Sequence, residues 1–185
     1  MEGLKLVQAL PQDAAELLDM ELRNRVFFEQ WVYPRPEAFY HIDAVMRSIE
    51  QTQLERKKDL SHQYLIKSFG RIIGRINLFN VVRANQNKAV LGYRIAEEFC
   101  GKSYATHAVN LMLAEAFAGL DFWRIEATTR SDHQASIRIL TKNQFKEFGR
   151  STQSTQYRNR WYDTLHFECH SHQWQPFLQN VENKV

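Results

Sequence analysis

The sequence predicts a mixed α/β domain of the α+β class, with one twisted mixed sheet and helices on both of its faces. Three observations predict it: a run of alternating strands in the middle of the chain, two strand–helix crossovers after that run, and two closing strands. The predicted order is β-α-α-β-β-β-α-β-α-β-β. Because the 185 residues contain no linker rich in Pro, Gly or Ser, residues 1–185 are expected to form a single domain.

The first third of the chain predicts one strand and two helices. Residues 4–7 look like a strand, and a helix follows from Pro11 with apolar residues at helical spacing. Residues 27–34 are aromatic and irregular, and a second helix is predicted from about residue 37 to 58. This pair of helices is expected to form one wall of a substrate cleft.

The middle of the chain predicts an antiparallel meander, in which Gly74 marks a bulge. Its strands are residues 62–67, 71–82 and 88–95, and its turns are residues 69–70 and 83–87. The remaining elements are two helices, residues 104–118 and 134–142, and three strands, residues 122–129, 146–149 and 161–169. The tail from residue 173 is polar, and Trp174 and Phe177 are expected to anchor it.

Composition limits the classes of function. The formal net charge of +3 is spread along the chain and does not favour nucleic-acid binding. Two cysteines make no disulfide framework. No apolar run is long enough to span a bilayer, and no signal peptide is visible, so a cytoplasmic protein without a membrane partner is expected. The sequence does not indicate the oligomeric state.

The segment from residue 91 to 108 predicts an anion-binding loop between a strand and a helix. A helix start has free N–H groups and partial positive charge, and a loop of small residues lets an anion approach them. The candidate ligating groups are backbone N–H groups of Gly101, Lys102, Ser103, Tyr104, Ala105 and Thr106. Because Ser103 has a Cβ, its backbone is expected in a region open to any residue.

This segment resembles the acyl-CoA loop of the GNAT acetyltransferase superfamily, and more closely its RimJ/RimL-type branch, which acetylates protein N-termini. That branch tends to contain Gly-Tyr and, further on, Gly-Lys-Gly-Tyr-Ala-Thr. The chain has Gly92-Tyr93 and then residues 101–106, with Ser103 in place of a loop glycine. Cys100 stands where Gln or Arg is usual. The predicted order of elements is also that of the family.

Residues 132–145 are similar to a second GNAT signature, Asn-x-x-Ser-x-x-x-Leu-x-Lys-x-Gly-Phe. The positions that match are Ser136, Leu140, Lys142 and Phe145, while His133 and Gln144 replace the usual Asn and Gly. The resemblance implies that Ser136 supports the thiolate leaving group and that His133 stands where a CoA-binding Asn is usual. It also implies that the backbone near Ile95 and Ala96 holds the pantetheine arm and polarises the thioester carbonyl.

Glu126 is the candidate general base, because an attacking amine must lose a proton and a carboxylate on the strand after the loop can take it. The alternative is an ordinary strand glutamate paired with Arg124 or Arg138. Tyr93, Tyr104 and Tyr157 are candidates for an acid or for lining the cleft. Cys100 is less favoured as a nucleophile, although a position near a helix start predicts a lowered pKa.

The predicted activity is acetyl-CoA-dependent N-acetyl transfer by direct attack, and the predicted acceptor is a protein N-terminus, such as that of a ribosomal protein. A small amine or an amine antibiotic is the alternative acceptor, and a non-catalytic acyl-CoA-binding module is the alternative class. The alternating row of His166, Glu168, His170 and His172 could bind metal. Its generic spacing makes a solvated strand edge the favoured interpretation, so no metal is expected.

Overall fold

The computed structural model describes residues 3–177, and its elements follow the predicted order. The strands are β1 Leu4–Val7, β2 His62–Ser68, β3 Arg71–Val82, β4 Lys88–Ile95, β5 Arg124–Arg130, β6 Lys146–Tyr157 and β7 Arg160–His170. The helices are α1 Ala14–Arg23, α2 Arg25–Phe28, α3 Ile42–Lys57, α4 Tyr104–Ala114 and α5 Gln134–Lys142. The predicted mixed α+β class with one sheet is confirmed. Of the tail, only the part up to residue 177 lies within the described residues.

The sheet order is β1-β2-β3-β4-β5-β7-β6, and every pairing is antiparallel except that of β4 with β5. Helices α1 and α3 pack on one face, against β3 and β2, while α4 and α5 pack on the other. Each face has its own apolar core: Leu17 and Ile49 belong to the α1 face, and Met112 and Ile125 to the α4 face. In residues 3–177 no helix is both long and apolar enough to cross a membrane.

Three elements differ from their predicted form. The helix predicted over residues 37–58 begins as a 3-10 turn, Glu37–Phe39, and α3 starts only at Ile42. The guanidinium of Arg25 stands 4.3 Å above the Tyr40 ring, so a tertiary contact holds the chain at this break. The helix predicted to residue 118 ends in a π-helical turn, Glu115–Gly119.

The strand predicted over residues 146–149 continues to Tyr157. Its added residues are polar and lack an apolar alternation, so they gave no strand signal. They pair with β7 through a tight turn in which Arg158 and Asn159 both have positive φ, the geometry of a two-residue hairpin. Pairing with the neighbouring strand, rather than hydrophobic pattern, defines this part of β6.

The bulge predicted at Gly74 is present in β3. Ile66 of β2 pairs with Gly74 and Lys67 pairs with Ile72, so Ile73 is the extra residue. A Cβ on Gly74 would lie 2.3 Å from the backbone oxygen of Arg94. The bulge therefore brings the backbones of β3 and β4 so close together that only glycine fits.

Replacing this glycine tests the close approach. Gly74→Ala should lower the free energy of unfolding by about 1–3 kcal/mol, since backbone must move to admit the methyl group. Gly149→Ala is the matched control, because Gly149 also lies beside a register shift but its added Cβ meets nothing closer than 3.9 Å. Urea unfolding measures both variants. Equal stability of the two would contradict the proposed steric role.

Candidate active site

The sheet opens between β4 and β5. Their parallel pairing runs from Lys88 opposite Arg124 to Leu91 opposite Ala127 and stops there, although both strands continue. Beyond that pair, β4 is held at its other edge by β3 and β5 by β7. The strands therefore form a V-shaped opening whose inner edges carry backbone N–H and C=O groups that the sheet does not use.

The two sides of the opening carry different side chains, because successive residues of a strand point to opposite faces. Tyr93 points to the α4 side and contacts Ser136 of α5. Arg94 points to the α1 side and pairs with Glu21 of α1. Glu126 lies opposite Val90, which is four residues before Arg94 on β4. Residues an even number apart on a strand share a face, so Glu126 points to the same side of the sheet as Arg94.

Of the two backbone positions expected to hold the pantetheine arm, Ile95 has its N–H toward the opening. The N–H of Ala96 donates to the oxygen of Ile73 at 2.8 Å and so points to β3. Because the N–H groups of successive strand residues point to opposite edges, the N–H of Ile95 points away from β3 and toward β5. The oxygen of Ala96 accepts the N–H of Phe99, so both backbone groups of Ala96 already have partners.

The start of α4 presents free N–H groups. The N–H of His107 bonds to the oxygen of Ser103 at 3.1 Å, and the N–H groups of residues 104–106 precede that first helical bond. Ser103 makes no side-chain cap, and the first turn has no acidic residue. Gly101 and Ser103 have φ of 74° and 65°, a turn that gathers successive N–H groups around one point. With the exposed ammonium of Lys102 beside it, this loop suits a pyrophosphate.

The backbone of Ser103 corrects the sequence prediction. Its φ of 65° and ψ of 1° lie in the left-handed region and not in one open to every residue. The chain must reverse here to start α4, and that conformation costs a residue with a Cβ about 1–2 kcal/mol. The glycine of the family pattern at this position thus has a backbone reason, and Ser103 is strained.

Cys100 also differs from expectation. Its Sγ lies 3.8 Å from the carbonyl oxygens of both Ile95 and Ala96. Burial of the thiol, followed by the charge of Glu97, raises the pKa of Cys100 above its ordinary value, so the prediction of a lowered pKa is wrong. The thiol remains protonated at neutral pH, which disfavours a covalent acyl-enzyme.

Tyr93 and Ser136 form a hydrogen-bonded pair on the α4 side of the opening, with 3.0 Å between their oxygens. Ser136 is buried in the first turn of α5. Burial raises the pKa of Tyr93 to about 12, against the opposing effect of the bond to Ser136. The phenol therefore keeps its proton, and the pair has a hydroxyl hydrogen to donate to a ligand in the opening.

His133 lies at the start of α5, stacked on Trp31 with 3.8 Å between the ring centroids. Burial, and next the charge of Arg130, lower the pKa of His133 to about 4, while Asp132 acts in the opposite sense. The imidazole is therefore neutral at physiological pH. Like the amide of the usual Asn, it then offers one donor and one acceptor.

Glu126 is held by cations in the closed half of the β4–β5 pair. Lys88 Nζ lies 3.1 Å from its Oε1, and the guanidinium of Arg124 contacts the same oxygen. Arg124 also pairs with Glu168, which lies opposite Glu126 on β7. The alternative of an ion pair with Arg124 is thus present, while the role of Glu126 as a base stays a prediction.

The sequence of residues 4–146 matches the family described as "Acetyltransferase (GNAT) domain". The chain belongs to the GNAT acetyltransferase family. A relative from Bacillus subtilis (strain 168), "Probable N-acetyltransferase YjcK", is 31% identical over 153 residues, which are 82% of this chain and 84% of that protein. This GNAT protein is therefore an acetyl-CoA-dependent N-acetyltransferase, and β6 and β7 extend its sheet beyond the matched residues.

Solved GNAT structures share its fold. A ribosomal-protein-S5-alanine acetyltransferase from Vibrio fischeri superposes with a TM-score of 0.88 at 21% identity, covering 95% of this chain and 97% of its own. Mycobacterium smegmatis RimJ in complex with CoA-disulfide superposes with a TM-score of 0.84 at 22% identity, covering 91% and 82%. The predicted resemblance to RimJ/RimL-type proteins is confirmed at the level of the fold.

One group that sequence reasoning missed is Arg130, at the end of β5. Its guanidinium lies 5.0 Å from the centroid of Trp31 and 4.6 Å from those of Tyr157 and Tyr162. Its Nη1 donates to the oxygen of Gln30 at 3.0 Å. These contacts lock the loop after α2 of this GNAT domain to the β6–β7 hairpin. Only tertiary structure brings them together.

The alternating row near the C-terminus of the GNAT domain serves other contacts. His166 bonds to Ser151 at 2.8 Å, and the rings of His170 and His172 lie against Trp123. In the part of the chain that the structure describes, no three His, Cys, Asp or Glu side chains are grouped as a metal site requires.

The strain at Ser103 can be measured. Ser103→Gly should raise the free energy of unfolding by about 1 kcal/mol, because glycine adopts this φ without strain. The greater conformational entropy of glycine in the unfolded chain offsets only part of this stabilisation. Gly101→Ala is the complement: its Cβ meets no atom within 4 Å, so the positive φ alone should lower stability by a similar amount. Urea unfolding reads both. A destabilised Ser103→Gly variant would rule out a strained serine.

Proposed function

We propose that this N-acetyltransferase acetylates the N-terminal amine of a protein, with ribosomal proteins as the substrate class. The observation that carries the proposal is the opening between β4 and β5, which has an uncapped helix start at one end and the charged side chains of Arg94 and Glu126 on the α1 side. The structural neighbours named for ribosomal-protein acetylation share this fold over most of the chain. Each of them is 21% identical to this chain.

On the cofactor side, backbone N–H groups from Gly101 to Thr106 bind the pyrophosphate of acetyl-CoA. The N–H of Ile95 faces the opening and donates to the thioester oxygen as charge develops there. Its neighbour Ala96 shapes the strand end without a free N–H of its own. His133 binds the CoA arm in place of the family's Asn, through the nitrogen donor of a neutral imidazole.

On the reaction side, the amine nitrogen attacks the thioester carbonyl carbon, and the carbon–sulfur bond breaks. Glu126 accepts the amine proton through a water, since it lies on the α1 side but two residues before the point where β5 parts from β4. Ser136, backed by Tyr93, donates a hydrogen bond to the departing thiolate. The transfer is direct and uses neither cysteine.

Peptide acetylation tests the acceptor class. Peptides with free N-terminal Ala or Ser should consume acetyl-CoA, while the same peptides with a blocked N-terminus and an internal Lys should not. Mass spectrometry places the added acetyl group. Turnover of small amines with no turnover of any peptide would contradict the proposal and would leave the acetyltransferase activity intact.

Glu126→Gln tests the base. The variant should lose about 10²-fold or more in kcat with acetyl-CoA affinity nearly unchanged, because only proton removal is affected. Glu168→Gln is the matched control, since it removes an equal charge from the same Arg124 network. Rates from a thiol-release assay and affinities from calorimetry separate the effects. Equal losses in both variants would mean that the charge network matters and that Glu126 is no base.

A further inference from the structure

On the α1 side of the opening, three arginine side chains surround a single carboxylate, so positive charge exceeds negative charge there. Glu21 of α1 is 1% exposed, and three arginines surround it. Arg94 lies 3.2 Å, Arg75 3.3 Å and Arg35 3.9 Å from its carboxylate oxygens. Within residues 3–177 these three guanidinium groups have no other carboxylate at ion-pair distance.

Two of the arginines keep unused hydrogen-bonding capacity. Arg75 completes its contacts by donating to Gln63 at 3.0 Å. Arg35 stands 4.0 Å above the ring of Phe39, and among the described residues its buried Nε has no hydrogen-bond partner. Its side chain is 27% exposed, so solvent reaches the cluster at Arg35. Among residues 3–177, Glu21 is the one anionic partner of Arg94.

Three cations around one carboxylate are unfavourable without a further anion, because like charges repel strongly where solvent is excluded. Burial lowers the pKa of Arg94 to about 10, with Arg35 and Arg75 acting in the same direction and Glu21 against them. Burial likewise lowers the pKa of Arg35. Both groups remain charged at neutral pH, and the surplus favours binding of an anion.

The cluster lies where an acceptor must approach. Arg94 follows Tyr93 on β4, three residues beyond the last pair of β4 with β5, and faces the α1 side. Arg35 reaches it from the connection between α2 and α3, the predicted wall of the substrate cleft. The loop before α4 and the Tyr93–Ser136 pair belong to other parts of the opening, so this cluster is separate from the groups proposed to hold acetyl-CoA.

We infer that Arg35 and Arg94, which share Glu21 with Arg75, bind a carboxylate of the acceptor, so that preferred substrates carry Asp or Glu within the first few residues after the N-terminal amine. Guanidinium groups bind carboxylates through paired N–H donors, which gives both strength and orientation. The inference rests on the proposed function, because it assigns a sequence preference to a peptide acceptor.

A peptide series tests it. Peptides beginning Ala-Glu-Glu, Ala-Gln-Gln or Ala-Lys-Lys, and otherwise identical, are compared in kcat/KM, with free aspartate as a small acidic amine. The acidic peptide should exceed the neutral one by about tenfold or more, mainly through KM. Arg35→Gln should abolish that preference by lowering kcat/KM for the acidic peptide, while CoA affinity stays unchanged. Folding should be retained, because the change removes an unbalanced charge.

Arg23→Gln is the matched control, since Arg23 carries an equal charge on the same α1 wall but pairs with Asp19 at the surface. It should keep the acidic preference. Calorimetric binding of the same peptides to the CoA-loaded protein provides a readout independent of turnover. If the protein binds the acidic peptide preferentially but acetylates no peptide, the proposed function is wrong and the arginine inference stands. The same holds if free aspartate is acetylated and no peptide is. Acetylation or binding of all peptides alike, or no binding of any, would overturn the arginine inference.

Discussion

The separation of β4 from β5 is the constraint on which the rest of the structure depends. Each strand is anchored at its outer edge, β4 by β3 and β5 by β7, so the two halves of the sheet are stable without pairing to each other along their whole length. The close approach at Gly74 draws the end of β4 onto β3, away from β5. A ligand can then occupy a place that backbone hydrogen bonds would otherwise fill.

The same separation explains why the functional groups converge. Each parted strand leads into a helix, β4 into α4 and β5 into α5, and both helix starts lie at the open edge. The loop before α4 supplies N–H groups, while α5 supplies Ser136 and His133. Residues far apart in the chain thus meet because two strand–helix units share one topology.

Much of the fold was predictable, since strands such as β3 and β4 and the helix α5 carry clear periodicity between turn residues. Elements shaped by tertiary contacts were not: the break before α3 and the polar half of β6 have no local signal. In the candidate site, the family pattern indicated the loop before α4, while the left-handed Ser103 and the raised pKa of Cys100 depend on backbone direction and burial.

The cluster of Glu21 with three arginines could not be predicted either, because it also depends on tertiary contacts. Glu21, Arg35, Arg75 and Arg94 come from a helix, a loop and two strands, and no spacing in the sequence relates them. The groups proposed to act on the coenzyme follow local motifs, so the sequence indicated them. The arginines inferred to bind the acceptor come from separate elements, and only the three-dimensional arrangement shows them together.

The aromatic enclosure of Arg130 has a consequence for engineering. Because one guanidinium joins the loop after α2 to two rings of the β6–β7 hairpin, these surface segments form a single mechanical unit. A loop transferred from another acetyltransferase to alter selectivity would lack the β6–β7 hairpin against which it packs in its own protein. Successful chimaeras of this scaffold should exchange both segments together.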